Sequence, residues 1–223
     1  MSDLIDTTEM YLKCILEMVE DDVIPTRSKL VTRLGQAAPS VSQTVERMTR
    51  ENLLSLDDNR QIVLSKHGME RAVSVMRKHR IAESFLFYEL GFGWAQCHEE
   101  ACRWEHVMGD EAEAKMLDKL EGKPNPYGNP IPGLATRAST GGVSSTEILS
   151  EYAGEVDSVS TTIHSLGEQL QVEESLLEQF DTAGVRPGES VTLSRTDGFV
   201  RITSQVGAID LSDDAAQHLF VTR

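Results

Sequence analysis

The stretch TRSKLVTRLGQAAPSVSQTVERMTR, residues 26–50, decides how the first part of this chain folds. Its first half predicts a helix over 27–34, which Gly35 ends. Pro39 suits the first turn of a second helix, predicted over 39–51, because the N–H that proline lacks would have no partner there. This second helix turns three apolar residues toward a core: Val41, Val45 and Met48. Two helices joined by a tight turn form a helix–turn–helix.

A hairpin is predicted directly after the second helix. Leu53–Leu64 carries apolar residues on both sides of Asp57-Asp58-Asn59-Arg60, so the segment as a whole predicts a winged helix–turn–helix. The second helix also has a stripe of hydroxyl, amide and guanidinium groups, which suits base edges and phosphates. The candidate DNA contacts are Arg27, Pro39, Ser40, Ser42, Gln43, Arg47, Arg50 and Arg60. The alternative is an ordinary solvated polar face.

The distribution of charge bears on the partner. The 223 residues carry a formal net charge of −15, which by itself argues against a nucleic acid. Residues 26–80, however, hold eleven lysines and arginines against five acidic residues, whereas residues 81–223 alone carry the whole −15. A basic segment within an acidic body favours a specific contact with a polyanion over indiscriminate binding.

The composition also bears on the class of protein. No apolar run approaches the roughly 20 residues that span a bilayer, and the acidic start Met-Ser-Asp-Leu-Ile-Asp lacks the features of a secretory signal. Three cysteines, Cys14, Cys97 and Cys102, are too few for a disulfide framework. We therefore expect a cytoplasmic protein with no membrane partner.

Periodicity and composition predict the remaining elements. Helices are predicted over Leu4–Glu20, Lys66–Leu90, 95–107 and 109–120. Residues 122–147 hold four prolines and five glycines, which indicates a linker with a stiff first half and a loose second half. From Ile148 onward, β-branched runs separated by turns predict a small antiparallel barrel or sandwich, with strands in Val156–Ser165, Glu189–Leu193, Phe199–Thr203 and Gly207–Leu211.

Two groups of residues have the spacing of metal ligands. His79 and Glu83 lie one helical turn apart, and His98, Cys102, Glu105 and His106 share one side of a second helix. Imidazole, carboxylate and sulfur together suit a divalent transition metal. A single pair of this kind is more often an ordinary histidine, but three histidines with such partners within 28 residues favour metal binding. Catalysis is less favoured, because the chain has no phosphate cradle, nucleophile elbow or paired-carboxylate motif.

Five stretches connect these features to a known family: DTTEMYL (6–12), PSVSQTV (39–45), VMRKHR (75–80), EACRWEHVM (100–108) and GNPIPGL (128–134). In this order they closely resemble the diphtheria toxin repressor family, the iron-dependent regulators of actinobacteria. The resemblance is dense over residues 1–134, and faint but collinear beyond them.

The resemblance implies a mainly α-helical chain with a small β part. The expected domains are a winged helix–turn–helix DNA-binding domain over 1–65, a helical dimerisation and metal-binding domain over 66–121, a Pro/Gly-rich linker over 122–147, and a small Src-homology-like β-barrel over 148–223. The implied function is a homodimeric repressor that binds palindromic double-stranded DNA operators of iron-homeostasis genes when Fe²⁺ is present. The implied protein is not an enzyme.

The resemblance also implies two metal sites in each chain. The primary ligands would be Met10, Cys102, Glu105 and His106. The ancillary ligands would be His79, Glu83, His98 and, from the barrel, Glu173, and an anion beside them would be held by Arg80 and Asn129. A metal that joins Met10 to the distant helix would fix the first helix, and with it the two DNA-reading helices of the dimer. Without the family, Met10 is equally well explained as a core residue.

Two departures from the family pattern affect these expectations. Ala37-Ala38 replaces the Ser-Gly expected before Pro39, which removes a hydroxyl that could cap the helix. The barrel stretch Gln171-Val172-Glu173 matches, but Leu176 stands where a second ligand is expected, and Glu174 is a possible substitute.

Several alternatives remain open on the sequence alone. A Mn²⁺-responsive repressor of manganese-uptake genes is the main one, and Co²⁺, Ni²⁺ or Zn²⁺ could also occupy the sites. A metal-dependent hydrolase and a winged-helix regulator that needs no metal are the alternatives from other classes.

Overall fold

The computed structural model describes residues 6–133, 142–154, 156–196 and 198–223. These residues pack into two compact units. The first unit contains the described residues up to His79, together with Cys102–Glu113. The second contains Arg80–Ala101 and the described residues from Ala114 onward. Residues 134–141, which include Leu134 of the GNPIPGL stretch and part of the loose half of the predicted linker, lie outside the described residues. The rest of that half, residues 142–147, forms a short strand and the start of a helix.

The first unit begins with three helices, a short hairpin and a long helix. Their bounds are α1 Thr7–Glu20, α2 Arg27–Leu34, α3 Ala38–Arg50, β1 Leu54–Leu56, β2 Ile62–Leu64 and α4 Lys66–Tyr88, of which the residues beyond His79 belong to the second unit. The predicted helices and hairpin of this region are confirmed, with ends that differ by at most three residues. The order is that of a winged helix–turn–helix.

Local chemistry explains where these helices begin and end. The Asp6 carboxylate caps α1 by accepting hydrogen bonds from the backbone N–H groups of Thr8 and Glu9, at 2.8 and 3.3 Å. Gly35 ends α2 with a φ of +61°, a conformation that favours glycine. The predicted inward face of α3 is confirmed, since Val41, Val45 and Met48 are completely buried. They join a core formed with residues of the other helices: Tyr11, Leu12, Ile15, Met18 and Leu30.

The second unit combines helical segments with a curled antiparallel sheet. Its helices are a 3-10 turn at Trp94–Gln96, α5 Cys97–Trp104, α6 Asp110–Leu120, α7 Ser145–Glu151, α8 Glu168–Gln171, α9 Glu174–Thr182 and α10 Asp213–Ala216; Cys102–Trp104 and Asp110–Glu113 belong to the first unit. The strands are β3 Gly142–Ser144, β4 Ser158–Leu166, β5 Ser190–Thr196, β6 Phe199–Thr203, β7 Ala208–Ser212 and β8 Leu219–Thr222. They pair in the order β3-β8-β4-β5-β6-β7. The predicted small antiparallel β part is confirmed.

Glycine and aromatic residues shape the proline-rich segment of the second unit. Gly128 has a φ of +83°, and a Cβ there would collide with the carbonyl oxygen of His164, so the GNPIPG stretch needs glycine at this position. Trp94 packs against Tyr127 with ring centroids 5.0 Å apart. The Trp94 indole also donates a 3.0 Å hydrogen bond to the carbonyl of Pro126. These contacts fix the backbone that carries Asn125 and Asn129.

Some elements were not predicted. The short strand β3 forms one edge of the sheet and pairs with β8, and neither strand was predicted. Helix α7 begins in the predicted linker, and α8, α9 and α10 lie in the part of the chain expected to hold only strands and turns. The predicted helix over 95–107 is shorter, since it is a 3-10 turn followed by α5 and ends at Trp104. Among the described residues, every helix is too short or too polar to traverse a lipid bilayer.

Candidate metal centres and nucleic-acid interface

Helix α3 presents the predicted polar stripe to solvent. Pro39, Ser40, Gln43 and Arg50 are exposed and Ser42 is partly exposed, while Arg60 is exposed at the tip of the hairpin. Ala37 occupies the N-cap of α3 and offers no side-chain oxygen to cap it. The surface thus exposes hydroxyl, amide and guanidinium groups, which are the groups that contact bases and phosphates in a DNA groove.

Two of the predicted DNA contacts already have partners within the first unit. The Arg47 guanidinium donates to the Thr8 hydroxyl at 3.1 Å and to the Glu51 carboxylate at 3.3 Å. Arg27 lies 3.9 Å from the Glu46 carboxylate. Both arginines would have to rearrange to contact phosphate. Because Thr8 belongs to α1, Arg47 also links the first helix to the helix expected to read DNA.

The carboxylate of Glu105 is the focus of a buried polar cluster in the first unit. Its Oε2 atom lies 2.6 Å from Nδ1 of His79 and 3.1 Å from the Lys13 ammonium, and its Oε1 atom lies 3.3 Å from Nε2 of His106. The Lys13 ammonium also lies 3.7 Å from Sγ of Cys102 and 3.0 Å from Nδ1 of His79. We call Glu9, Lys13, His79, Cys102, Glu105 and His106 the first centre.

Charge dominates the first centre. Burial by itself would raise the pKa of the Glu105 carboxyl, but the Lys13 ammonium and His79 more than offset this effect and lower the pKa to about 2. Glu105 is therefore ionised at neutral pH, although only 4% of its surface is exposed. A buried carboxylate beside imidazole and thiol groups is a donor set that fits a divalent transition metal.

Glu9 extends the first centre onto α1. Its carboxylate lies 2.8 Å from Nδ1 of His106, while Nε2 of the same ring faces Glu105. A carboxylate on one nitrogen of a histidine orients the ring and raises the basicity of the other nitrogen, an arrangement common at metal sites. Met10, the neighbouring residue expected as a ligand, is partly buried and packs against the hydrophobic core of the first unit.

A second polar cluster lies within the second unit. Nδ1 of His98 lies 3.0 Å from the carboxylate of Glu83 and 3.5 Å from that of Glu168. One donor atom from each of these three residues lies within 4.8 Å of the others, and all three side chains are buried. We call Glu83, His98 and Glu168 the second centre. Two carboxylates and an imidazole can also hold a divalent cation.

Amide and guanidinium groups hold the second centre in place. The Asn125 amide donates to the Glu83 carboxylate at 2.6 Å, and Nε of Arg80 donates to Glu168 at 3.1 Å. Arg80 donates again to the carbonyl of Pro130 at 2.7 Å. Asn129, expected beside an anion, donates its amide to the carbonyl of Leu166 at 2.8 Å. In this structure the anion held by Arg80 is the chain's own Glu168.

The expectation of Glu173 as the barrel ligand needs correction. Glu173 is exposed at the start of α9, whereas Glu168, five residues earlier, is buried beside His98. The short helix α8 explains the difference, because it turns Glu168 and Gln171 inward and leaves Val172 and Glu173 outside. The absence of a ligand at Leu176, and the possible substitution by Glu174, therefore no longer decide whether this part of the chain can supply a metal ligand. The buried Oε1 atom of Gln171 accepts no hydrogen bond from the described residues.

Sequence reasoning missed three polar residues of the two centres, Glu9, Lys13 and Glu168, and Asn125, which donates to the second centre. Lys13 gave one usable signal, since it is the only lysine or arginine among the first 25 residues and is followed by Cys14 and Ile15 on a helix predicted to be packed. A single sequence contains no signal that identifies Asn125 or Glu168, because their roles depend on contacts between distant segments.

Three family models match successive parts of the chain. They are described as the iron dependent repressor N-terminal DNA binding domain over residues 3–62, the iron dependent repressor metal binding and dimerisation domain over 65–133, and the diphtheria toxin repressor SH3 domain over 153–223. The chain is also 39% identical to the diphtheria toxin repressor of Corynebacterium jeikeium, over 96% of this chain and 95% of that protein. The chain belongs to the diphtheria toxin repressor family. It is a metal-dependent transcriptional repressor and not an enzyme.

Other relatives agree with this family assignment. The iron-dependent repressor IdeR of Mycobacterium leprae is 40% identical over 86% of each chain. A solved structure titled as a manganese-dependent transcriptional repressor in complex with manganese superposes with a TM-score of 0.73 at 25% identity, over 97% of this chain and 99% of that one. The diphtheria toxin repressor family thus accounts for the winged helix–turn–helix, the helical metal-binding region and the SH3-like sheet of this chain.

Proposed function

We propose that this repressor responds to Fe²⁺ at the first centre. The observation that carries the proposal is the convergence of Cys102, Glu105 and His106 with residues of α1 in one buried cluster. A divalent ion there would supply two positive charges that bind thiolate, carboxylate and imidazole together. Because α1 and α3 share the hydrophobic core of the first unit, fixing α1 would also position the helix that reads DNA. Met10 is proposed as the ligand from α1.

A second ion is proposed at the second centre. Glu83, His98 and Glu168 are its proposed ligands, and the buried oxygen of Gln171 supports a role for that residue as a further donor. His79 lies one turn before Glu83 on the same helix and remains part of the proposed set. Glu173 is no longer proposed.

The remaining parts of the proposal concern partners and location. We propose a homodimer that binds a palindromic operator through α3 and the β1–β2 hairpin, in the cytoplasm. The candidate DNA contacts are those of the exposed stripe, with Arg27 and Arg47 released from their internal partners. The predicted domain boundaries at residues 65, 121 and 147 are retained as proposals.

A Mn²⁺-responsive repressor is the second candidate. It is favoured by the likeness to a manganese-dependent repressor at 25% identity. Fe²⁺ is favoured by the thiol of Cys102, which is a softer group than the carboxylate that suits manganese. It is also favoured by the relative from Mycobacterium leprae, which is named an iron-dependent repressor.

A binding titration tests the proposed function. An operator is first selected from a random pool of double-stranded DNA in the presence of metal, and its affinity is then measured by fluorescence anisotropy with Fe²⁺, Mn²⁺ or a chelator. We expect tight binding with metal and loss of binding with the chelator. Equal affinity in both conditions would contradict a metal-activated repressor.

Comparison of two variants then separates the two centres. Met10→Ala should abolish activation by metal, whereas His98→Ala should weaken it only in part. His98 is a cleaner probe of the second centre than His79, because His79 also contacts Glu105 of the first centre. Equal losses in the two variants would contradict the proposed division of roles.

A further inference from the structure

Lys13 stands among residues expected to bind a metal. Its ammonium lies within 3.1 Å of both Glu105 and His79, and 3.7 Å from the sulfur of Cys102. Only 6% of the residue is exposed. Burying an ammonium group is costly unless opposite charge and hydrogen-bond acceptors surround it. The first centre provides both.

The ammonium and a divalent ion bound at the first centre would compete for the same carboxylate. Oε2 of Glu105 is the acceptor for Lys13 at 3.1 Å, and a metal bound by the same carboxylate would bring two further positive charges within a few ångströms of the ammonium. In a buried site this repulsion is only weakly screened. Lys13 and the ion therefore exclude each other from the first centre.

Lys13 and Met10 lie one turn apart on α1, so the same helix carries both groups. In the structure, the ion pair between Lys13 and Glu105 joins α1 to the segment after α5. In the metal-bound protein, the proposed bond from Met10 to the metal would join the same two segments, but from a position one turn earlier on α1. Replacing one link by the other gives α1 two distinct attachments.

We propose that Lys13 is an internal cation that occupies the first centre in the metal-free repressor and must be displaced by the activating ion. This inference rests on the proposed metal site at the first centre. Displacement subtracts from the free energy of metal binding, so Lys13 sets the metal concentration at which the repressor is activated. The lysine also holds the Glu105 carboxylate in position.

Metal affinity of charge variants tests this inference. Binding of Mn²⁺ is measured by competition with a fluorescent chelator for the wild type, Lys13→Leu and Lys13→Arg. Leucine removes the charge and cannot bind the ion, so we expect Lys13→Leu to bind Mn²⁺ about tenfold more tightly. Lys13→Arg keeps the charge and should remain nearer to the wild type than to Lys13→Leu. Lys66→Leu removes a lysine whose side chain is 93% exposed and is the control, with an affinity equal to that of the wild type.

Labelling of the unaltered protein supplies an independent test. Brief acetylation followed by mass spectrometry compares the reactivity of Lys13 with and without saturating Mn²⁺, with exposed Lys66 as the internal reference. The buried amine should react slowly in the metal-free protein and about fivefold or more faster once metal expels it toward water. Lys13 that stays protected in the loaded protein would overturn the inference.

The outcomes separate this inference from the proposed function. If Lys13→Leu binds Mn²⁺ no more tightly than the wild type, the displacement model is wrong, while the metal site stands. If the wild type itself binds no Mn²⁺ at the first centre, with Cys102, Glu105 and His106 unaffected by the ion, the proposed function and the inference both fail.

Discussion

The two centres hold their carboxylates with different cations. In the first centre the partner of Glu105 is Lys13, a compact ammonium on a flexible chain. In the second centre the partner of Glu168 is Arg80, whose planar guanidinium also binds the carbonyl of Pro130. Lysine presents a point charge that can leave by rotating its side chain, whereas an arginine held at two points is fixed in place.

The surroundings also make the first centre easier to rearrange than the second. Side-chain contacts of the first centre join α1 to a segment about ninety residues later. The second centre is supported by backbone of the proline-rich segment, through Asn125 and the contact between the tilted rings of Trp94 and Tyr127. On the proposed function, we expect the first centre to respond to metal and the second to act mainly as a firmer attachment that stabilises the protein. The predictions below test this difference.

The largest effect is expected from Glu105→Gln. The substitution removes the central carboxylate of the first centre and leaves Lys13 buried without its counter-charge, so the free energy of unfolding should fall by about 3 kcal/mol. Affinity for Mn²⁺ at the first centre should fall about 100-fold. Urea denaturation and metal competition measure the two effects, and Glu20→Gln, an exposed residue of α1, is the control. A variant with unchanged metal affinity would contradict the central role of Glu105.

Glu9→Gln should have a smaller effect on the same centre. The Glu9 carboxylate orients His106 from its far nitrogen, and loss of such a partner typically costs about 10-fold or more in metal affinity. Metal competition measures the loss, and Glu9→Asp should restore part of it. If Glu9→Gln binds Mn²⁺ as tightly as the wild type, His106 does not depend on Glu9.

The second centre should respond differently. Glu168→Gln weakens the pair with Arg80 and removes a proposed ligand, so it should lower the thermal stability of the protein while raising the metal concentration for half-maximal operator binding only about fivefold. Glu173→Gln, which alters the exposed residue first expected at this site, should change neither quantity. A larger loss from Glu173→Gln than from Glu168→Gln would reverse the correction made from the structure.

The smallest expected effect is a difference in thiol reactivity. Burial raises the pKa of Cys97 to about 12 and also raises the pKa of Cys14, so both thiols should react slowly with iodoacetamide at pH 8 because the thiolate is the reactive form. Cys102 is only partly buried and should react first. Mn²⁺ should protect Cys102 without changing the other two, as peptide mass spectrometry would show. Protection of Cys97 instead would place the responsive metal in the second unit.

Much of the first unit could be predicted from the sequence. The period of Val41, Val45 and Met48, the proline at the start of α3 and the glycine after α2 are local signals with local causes. The same holds for the hairpin around Asp57–Arg60. Strong periodicity fixes a helix and its buried face without knowledge of its neighbours.

The second unit was less predictable, for physical reasons. Helices α8 and α9 interrupt the stretch read as strands, although Leu177 and Phe180 have helical spacing that a closer reading could have used. Glu168 was missed because its burial depends on α8, a helix of four residues with no cap or period of its own. Lys13 was missed because lysine is rarely a metal ligand, and its partners lie 66 to 92 residues away along the chain.

The central claim is that a divalent ion joins α1 to the segment carrying Glu105 by taking the place of Lys13. Anomalous X-ray diffraction from crystals grown with Mn²⁺ tests this claim most directly, because it locates the ion and the lysine together. The account predicts an anomalous peak bonded to Glu105 and His106, with Met10 turned toward it and the Lys13 ammonium moved away. A peak with Lys13 still bonded to Glu105, or no peak at the first centre, would contradict it.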